Sequence, residues 1–581
     1  MQHYNWDLSK IYKTETEFEE EIQYVRELNE KLKALGEDIK GNFKSYLETM
    51  TDARRRIYKL RTYSHRKHDE DTRQTHGQKI SMTVENLAND YDTITSNFRP
   101  SLLSLSKEEL EKLIEDYDLE NYRKYLDKIF RYKEHTLTAG EEKILGSLSF
   151  LQGAPADAYN LLMNSDIEFP FIESAGVKLS HANYVNLIKN KDEEVRKETF
   201  IKYYETLKGV DNTISSLQFN NVKGLAAEAK LRNFNSAREM ELFKDDVEEI
   251  VYDNMIEAVR ENLPHLHRYY EIKKKYLGLE KQHMYDIYLP LATEEDKKIT
   301  YDEGKEIILK GLTPLGDEYL EIIKEAFDNN WIDVYPQPGK RPGAYSSGSY
   351  DTEPYILMNY TDNLDSVFTL AHELGHSVHS YYSRKNNDFL YSGYTIFVAE
   401  VASTTNELIL LDYLMKNATS DGEKIYLIDF YIDNFKGTVF RQTMFAEFEK
   451  LTHESVENGQ VLTLDDFNKI FYKLNQDYFG EAVISDEDIQ LEWAKIPHFY
   501  SNFYVYKYAT GFSTAVKLAK NILEGDQEAL EKYINFLKDG GNNFPLDQLK
   551  AAGADISKKE TINEAMEVFK GLVDELEELT K

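Results

Sequence analysis

The chain has no cysteine in 581 residues. Disulfides, thiol nucleophiles and thiolate metal sites are therefore excluded. Any metal must be held by nitrogen and oxygen donors, which suits an open catalytic site better than a closed structural one. Proline is sparse, at 12 residues, and no low-complexity linker or fixed-period repeat interrupts the chain. Positive charge is in deficit: 70 Lys and Arg stand against 103 Asp and Glu, a net charge of −33. That balance argues against a nucleic-acid partner, because phosphate binding needs a basic footprint. It favours solubility, and an acidic cleft would prefer cationic peptides. No run approaches 18 apolar residues, so no membrane partner is expected. The start, Met1-Gln-His-Tyr-Asn-Trp-Asp-Leu8, has neither the basic nor the apolar part of a secretory leader. A cytoplasmic location is the expectation. Neither a Gly-x-Ser-x-Gly elbow nor a phosphate-binding loop is found, which disfavours serine chemistry and nucleotide hydrolysis.

What is present is mostly helical pattern. Apolar residues recur at three- and four-residue spacing over Glu15–Leu35, Phe43–Ser64, Gln74–Phe98 and Lys107–Tyr132. A small hairpin is expected near 168–179, and a domain boundary near 190–200. This gives an N-terminal helical lobe over 1–195 and a catalytic domain over 196–581. His283–Pro290 and Ile332–Tyr335 read as short strands, and Tyr301–Asn329 as a helix. Gly339, Gly343 and Gly348 then make a loop before a strand at Pro354–Tyr360. The loop is either a plain surface connection or a substrate contact, with Gly343 and Tyr345 as candidates, beside a strand edge able to pair with an extended peptide.

Thr361-Asp362-Asn363 supplies helix-capping chemistry, and an apolar helix follows from Leu364 to about Tyr382. It carries His372-Glu373-Leu-Gly375-His376. Residues four apart on a helix lie about 40° apart around its axis, so both imidazoles can aim at one Zn²⁺ ion. Glu373, on the shoulder of that face, suits a base for the attacking water. The alternative is two partly buried histidines beside an incidental glutamate. Gly375 allows close approach by another backbone or by substrate. A third ligand is needed. His379 lies on the same helix, but three ligands from one straight helix surround a tetrahedral ion poorly, so a role beside the site or in a cleft wall suits it better. Glu400 lies 24 residues beyond His376. A polar break at Ser383–Asp388 and a second helix from Ile396 to about Leu414 would return it beside the histidines. Glu407, seven residues on, would orient a ligating His or lie at the surface.

Downstream, Pro497-His498-Phe-Tyr500 and Tyr504-Val-Tyr506-Lys-Tyr508 form an aromatic patch. Tyr504 and Tyr508 share a helix face. A phenol or an imidazole can donate to the oxyanion that amide hydrolysis builds, although with 42 tyrosines in the chain such a stripe also reads as core.

Together, His372–His376, Glu400 within Phe397-Val-Ala-Glu-Val-Ala-Ser403, the Gly-Ser loop with Tyr355-Ile-Leu-Met-Asn359 and the His498/Tyr508 patch resemble the oligoendopeptidase F branch of the thimet oligopeptidase-like (M3) zinc metallopeptidases. Trp6-Asp-Leu-Ser and His283-Met-Tyr-Asp-Ile-Tyr288 resemble it as well. The resemblance implies a mainly α, two-lobed body with a deep central channel and a small β-sheet beside the motif helix. It implies one zinc ion per chain on His372, His376 and Glu400, Glu373 as general base, and His498 with Tyr508 at the oxyanion. Tyr504 or Tyr506 could take the place of Tyr508. The expected activity is endopeptidase hydrolysis of short unfolded peptides by metal-activated water, in a monomer or weak homo-oligomer. The alternatives are an exopeptidase releasing C-terminal dipeptides and a catalytically inert helical binding protein.

Overall fold

The computed structural model describes residues 4–292 and 298–581. Met1–His3 of the N-terminal stretch read above lie outside the described residues. The longer helices of the first 130 residues are α1 (Glu15–Gly36), α2 (Phe43–Glu70), α3 (Thr75–Thr95), α4 (Lys107–Asp116) and α5 (Arg123–Phe130). Thr14 caps α1 through a hydroxyl that accepts from Glu17 N, and Ser106 with Glu109 closes a capping box on α4. The single helix expected over Lys107–Tyr132 is broken between α4 and α5. Asp118 there takes φ +52°, a left-handed position that Asp tolerates, and a 3₁₀ turn follows at Glu120–Tyr122.

β1 (Phe171–Ile172) and β2 (Val177–Lys178) form the expected hairpin, with Gly176 at φ +66° in its turn. Then come α6 (Glu193–Lys208) and α7 (Asp211–Leu231), and β3 (Ile332–Asp333), β4 (Tyr345–Ser347) and β5 (Tyr355–Leu357). The helices that carry the candidate metal ligands are α8 (Leu364–Asn386) and α9 (Ile396–Lys416), and α10 (Arg441–Glu457) and α11 (Tyr506–Leu523) follow later in the chain. The chain is thus mainly α, and its two sheets among the described residues are small. No described helix is long and apolar enough to cross a membrane.

Packing divides the chain into two compact units, each made of three separate stretches. Unit 1 is Met1–Ala139, Asp296–Leu410 and Ala519–Ala552; unit 2 is Gly140–Glu295, Leu411–Leu518 and Gly553–Lys581. The 190–200 region that the sequence marks as a boundary lies within a unit 2 stretch.

In unit 1, Phe18, Val25 and Leu32 of α1 meet Tyr46, Leu47, Ala53 and Leu60 of α2 and Val84 and Leu87 of α3 in one buried cluster, which also takes in Tyr355 and Leu357 of β5. The helical core therefore supports the three-stranded sheet. Its order is β3-β5-β4, with β3 parallel and β4 antiparallel to β5. The Gly-rich segment read as a loop thus contains an edge strand. Ser346 Oγ meets Ser377 Oγ of α8 at 2.8 Å, which lays β4 along that helix. Lys340 anchors the approach to β4: its buried ammonium pairs with the buried Asp333 carboxylate and donates to Tyr335 O at 2.8 Å.

In unit 2, His283–Pro290 is not a strand. Only His283 makes an isolated bridge, to Ile484. The segment folds into turns because Asp286 accepts from His283 N at 2.9 Å and from the Arg196 guanidinium of α6 at 2.7 and 3.0 Å, with both side chains buried.

Breaking a buried ion pair from one side strands the other charge. Asp333→Ala should therefore lower stability by about 3–5 kcal/mol. The Asp333→Ala/Lys340→Met double variant should lose less, because no charge is left unpaired. Urea unfolding followed by tryptophan fluorescence checks both.

Candidate metal centre

Asn363 caps α8 by accepting from Ser366 N; Asp365 lies in its first turn and Arg384 and Lys385 in its last. Each charge complements the helix dipole at its end. The helix runs through much of the polar break expected at Ser383–Asp388, ending at Asn386. Gly375 lies against α9. A Cβ at this position would fall 2.6 Å from Ser403 Cα and 3.0 Å from Ala402 O, so only glycine fits. Of the two readings of Gly375, the structure selects the helix backbone as the neighbour. Asn406, fully buried, fixes the contact: its Nδ2 donates to Ala371 O at 3.1 Å while its Oδ1 accepts from Tyr319 OH at 2.7 Å.

The close approach brings Glu400 to the histidines. His372 Nε2 and His376 Nε2 are 3.2 Å apart, and Glu400 Oε2 lies 3.4 Å from the first and 3.7 Å from the second. The edge of a tetrahedron of nitrogen and oxygen donors around Zn²⁺ is about 3.3 Å, from bonds of about 2.0–2.1 Å. The donor set and its spacing fit such an ion. These three are also the only group of His, Asp or Glu donors found converging in this way among the described residues. Glu400 is 48% exposed, so one side of the cluster is open. Ser403 Oγ donates to Glu400 Oε2 at 3.2 Å and orients the carboxylate.

Glu407 hydrogen-bonds His372 Nδ1, leaving Nε2 to face the cluster. Burial opposes an imidazolium at His372, yet the Glu407 carboxylate, with Glu373 and Glu400 behind it, raises its pKa to about 9. Burial and then the charge on His372 push His376 the other way. The two rings therefore share one proton between them at neutral pH. Burial raises Glu373 to about 7, opposed by His372 and reinforced by Glu400, and the backbone of Ser346 in β4 hydrogen-bonds to it. Its Oε2 is buried with no hydrogen-bond partner among the described residues. A carboxyl poised near neutrality, beside a metal site and with one oxygen uncommitted, is suited to moving a proton.

His379 is not part of this group. It is buried, stacked on Tyr394 at 3.7 Å and 7°, and burial lowers its pKa to about 3, so it is a neutral packing ring. The Tyr345 hydroxyl donates to Asp69 at 2.6 Å, and since Ser346 faces α8, the Tyr345 side chain lies on the opposite face of the strand. Gly343 has φ +84°, and its carbonyl accepts from Asn359 Nδ2 at 2.8 Å. His498, Tyr504 and Tyr508 gather in unit 2. Tyr508 meets Tyr504 edge-on at 5.4 Å and His498 at 6.0 Å, and burial lowers the His498 pKa, leaving its ring neutral at pH 7. Sequence reasoning did not single out Ser346, Ser377, Ser403, Asn406 or Tyr319. Only Asn406 carried a signal, as an amide inside an apolar helix.

Protons compete with a metal for His372, so affinity for an added divalent cation such as Zn²⁺ should fall as pH drops below about 9. Glu407→Ala should weaken zinc about 10–100-fold. It should also move the pH dependence to lower pH, because burial then acts on His372 with less opposition. Competition against a chromophoric chelator between pH 6 and 9 checks both effects.

Comparison with known proteins places the chain in a family. The model of peptidase family M3 matches residues 186–568, and that of oligopeptidase F matches 101–169. Oligopeptidase PepF of Bacillus subtilis is 40% identical, over 99% of this chain and 87% of the relative. Group B oligopeptidase PepB of Streptococcus agalactiae is 38% identical over 99% and 97%. The crystal structure of oligoendopeptidase-F from Enterococcus faecium superposes with a TM-score of 0.74 at 36% identity, covering 97% of this chain and 99% of that one. Matched along nearly its whole length in sequence and in fold, this chain belongs to peptidase family M3 and, within it, to the oligopeptidase F branch.

Proposed function

We propose that this chain is a zinc-dependent endopeptidase that hydrolyses internal bonds of short unfolded peptides in the cytoplasm. The observation that carries the reading is the convergence of His372, His376 and Glu400 donors at 3.2–3.7 Å beside the buried Glu373. The names of the relatives, oligopeptidase and oligoendopeptidase, support peptides as the substrate class. His372, His376 and Glu400 would hold a divalent cation, which when bound would supply Lewis acidity and a readier nucleophile from water at neutral pH.

The chain's own residues do the rest. Glu373 takes a proton from the water as it attacks the scissile carbonyl, and passes that proton to the leaving amine. Glu407 holds the tautomer of His372. The edge strand β4 offers backbone groups to an extended peptide, and its Ser346 already reaches Glu373. His498, Tyr504 and Tyr508 are assigned the oxyanion on their chemistry and on the family resemblance: they are donors that stabilise developing charge without first releasing a proton.

Glu373→Gln should lower kcat about 100- to 10,000-fold with zinc content unchanged. Wild-type turnover of a quenched peptide by this variant would overturn the mechanism. Chelation should abolish activity, and zinc should restore it. Tyr508→Phe should reduce kcat about 10- to 1000-fold, with a smaller change in KM. Peptides blocked at both ends should still be cut internally; cleavage confined to unblocked C-termini would make the enzyme an exopeptidase.

A further inference from the structure

Between His498 and α11 the chain makes a short turn through Ser501, Asn502 and Phe503. Phe503 has φ +54°, a left-handed backbone that a bulky aromatic rarely adopts without help from its surroundings. The help comes from α10. The Phe503 backbone N–H donates to Glu449 Oε1 at 2.8 Å. Glu449 is 1% exposed, and its other oxygen has no hydrogen-bond partner among the described residues. One helical turn further on, the buried His453 packs its ring 4.6 Å from that of Phe503 and hydrogen-bonds Asn502. Tyr252 meets the Phe503 ring edge-on at 5.8 Å. Asn221 of α7 ties the other side of the turn: its Nδ2 donates to Asn502 Oδ1 at 2.8 Å and to Phe499 O at 3.0 Å.

A carboxyl in this position is poorly explained by packing. A leucine would fill similar volume without desolvating a polar group, but it would leave the Phe503 N–H unpaired. Burial pushes Glu449 up to about 8, so at neutral pH it sits mostly as the neutral acid, still able to accept. What the bond holds is the turn itself, and the turn sets the positions of Tyr504 and Tyr508 relative to His498.

We infer that Glu449 is a positioning residue for peptide hydrolysis: by accepting the Phe503 N–H it locks the left-handed turn that aims Tyr504 and Tyr508. This rests on the assignment of those tyrosines to the oxyanion. Glu449 touches neither substrate nor metal in this role.

The test is a double-mutant cycle on the full zinc-loaded chain, with kcat and KM measured on a quenched peptide alongside zinc content. Glu449→Gln keeps an acceptor and should stay within about threefold of wild-type kcat. Glu449→Leu should lower kcat at least about tenfold, as misplacement of a catalytic group does, with zinc content unchanged. In the Tyr504→Phe/Tyr508→Phe background, Glu449→Leu should cost less than about threefold more, because its effect passes through the same phenols. Equal losses for Gln and Leu, or losses that multiply in full with the tyrosine changes, would refute the role. If the tyrosine pair variant is slow while Glu449→Leu turns over at the wild-type rate, only the role of Glu449 fails. If the tyrosine pair variant itself keeps wild-type kcat, the oxyanion assignment fails and the role falls with it. Should Glu449→Leu not fold, Asn221→Ala replaces it in the cycle. It should lower kcat about three- to tenfold and likewise add little in the tyrosine background.

Discussion

The candidate centre depends on a close approach of two helix backbones, and the missing side chain of Gly375 permits it. With Ser403 Cα only 2.6 Å from where a Cβ would be, α9 lies directly on α8. Everything else in the candidate centre follows from this approach. It returns Glu400 to the two imidazoles, places Glu407 against the far nitrogen of His372, and lets Asn406 bridge to Ala371 O. A helix interior disfavours glycine by about 1 kcal/mol relative to alanine, a small penalty against the ligand geometry it allows.

The electrostatics of the centre follow from what this approach gathers. Three carboxylates, Glu373, Glu400 and Glu407, surround two imidazoles that cannot both be charged. Glu373 holds its proton to about pH 7, first because it is buried and then because Glu400 lies near it. A dication held by these ligands would favour the ionised form of that carboxyl. Ligand affinity and base strength are therefore linked through one charge balance.

Much of this was legible in the sequence where the chemistry is local. The i, i+4 spacing of His372 and His376 fixes a shared helix face, and the two apolar runs separated by Ser383–Asp388 imply an antiparallel return for Glu400. The helix stop came later than composition suggested, because Arg384 and Lys385 suit the last turn of a helix as well as a loop. Non-local geometry was not legible. Nothing in Tyr345-Ser-Ser347 marks an edge strand, since its partner β5 and its support from α8 are set by tertiary packing. His283–Pro290 has strand-like residues, yet Asp286 curls it by binding Arg196, 90 positions earlier in the chain. The kink at Phe503 was equally hidden, because an aromatic residue gives no local warning of a left-handed backbone.

The division of the chain also carries a consequence for its synthesis. Unit 1 takes its last segment from Ala519–Ala552, and unit 2 from Gly553–Lys581. Neither can close its core around its first segment as that segment leaves the ribosome. At about 5–20 residues per second, the opening helices of unit 1 wait roughly 20–80 s between the end of their own stretch and the arrival of their final partner. During that interval the apolar faces of α1, α2 and α3 have mainly one another for cover. Their mutual cluster, which lies almost wholly within the first 130 residues, gives those faces cover of their own before the later segments arrive.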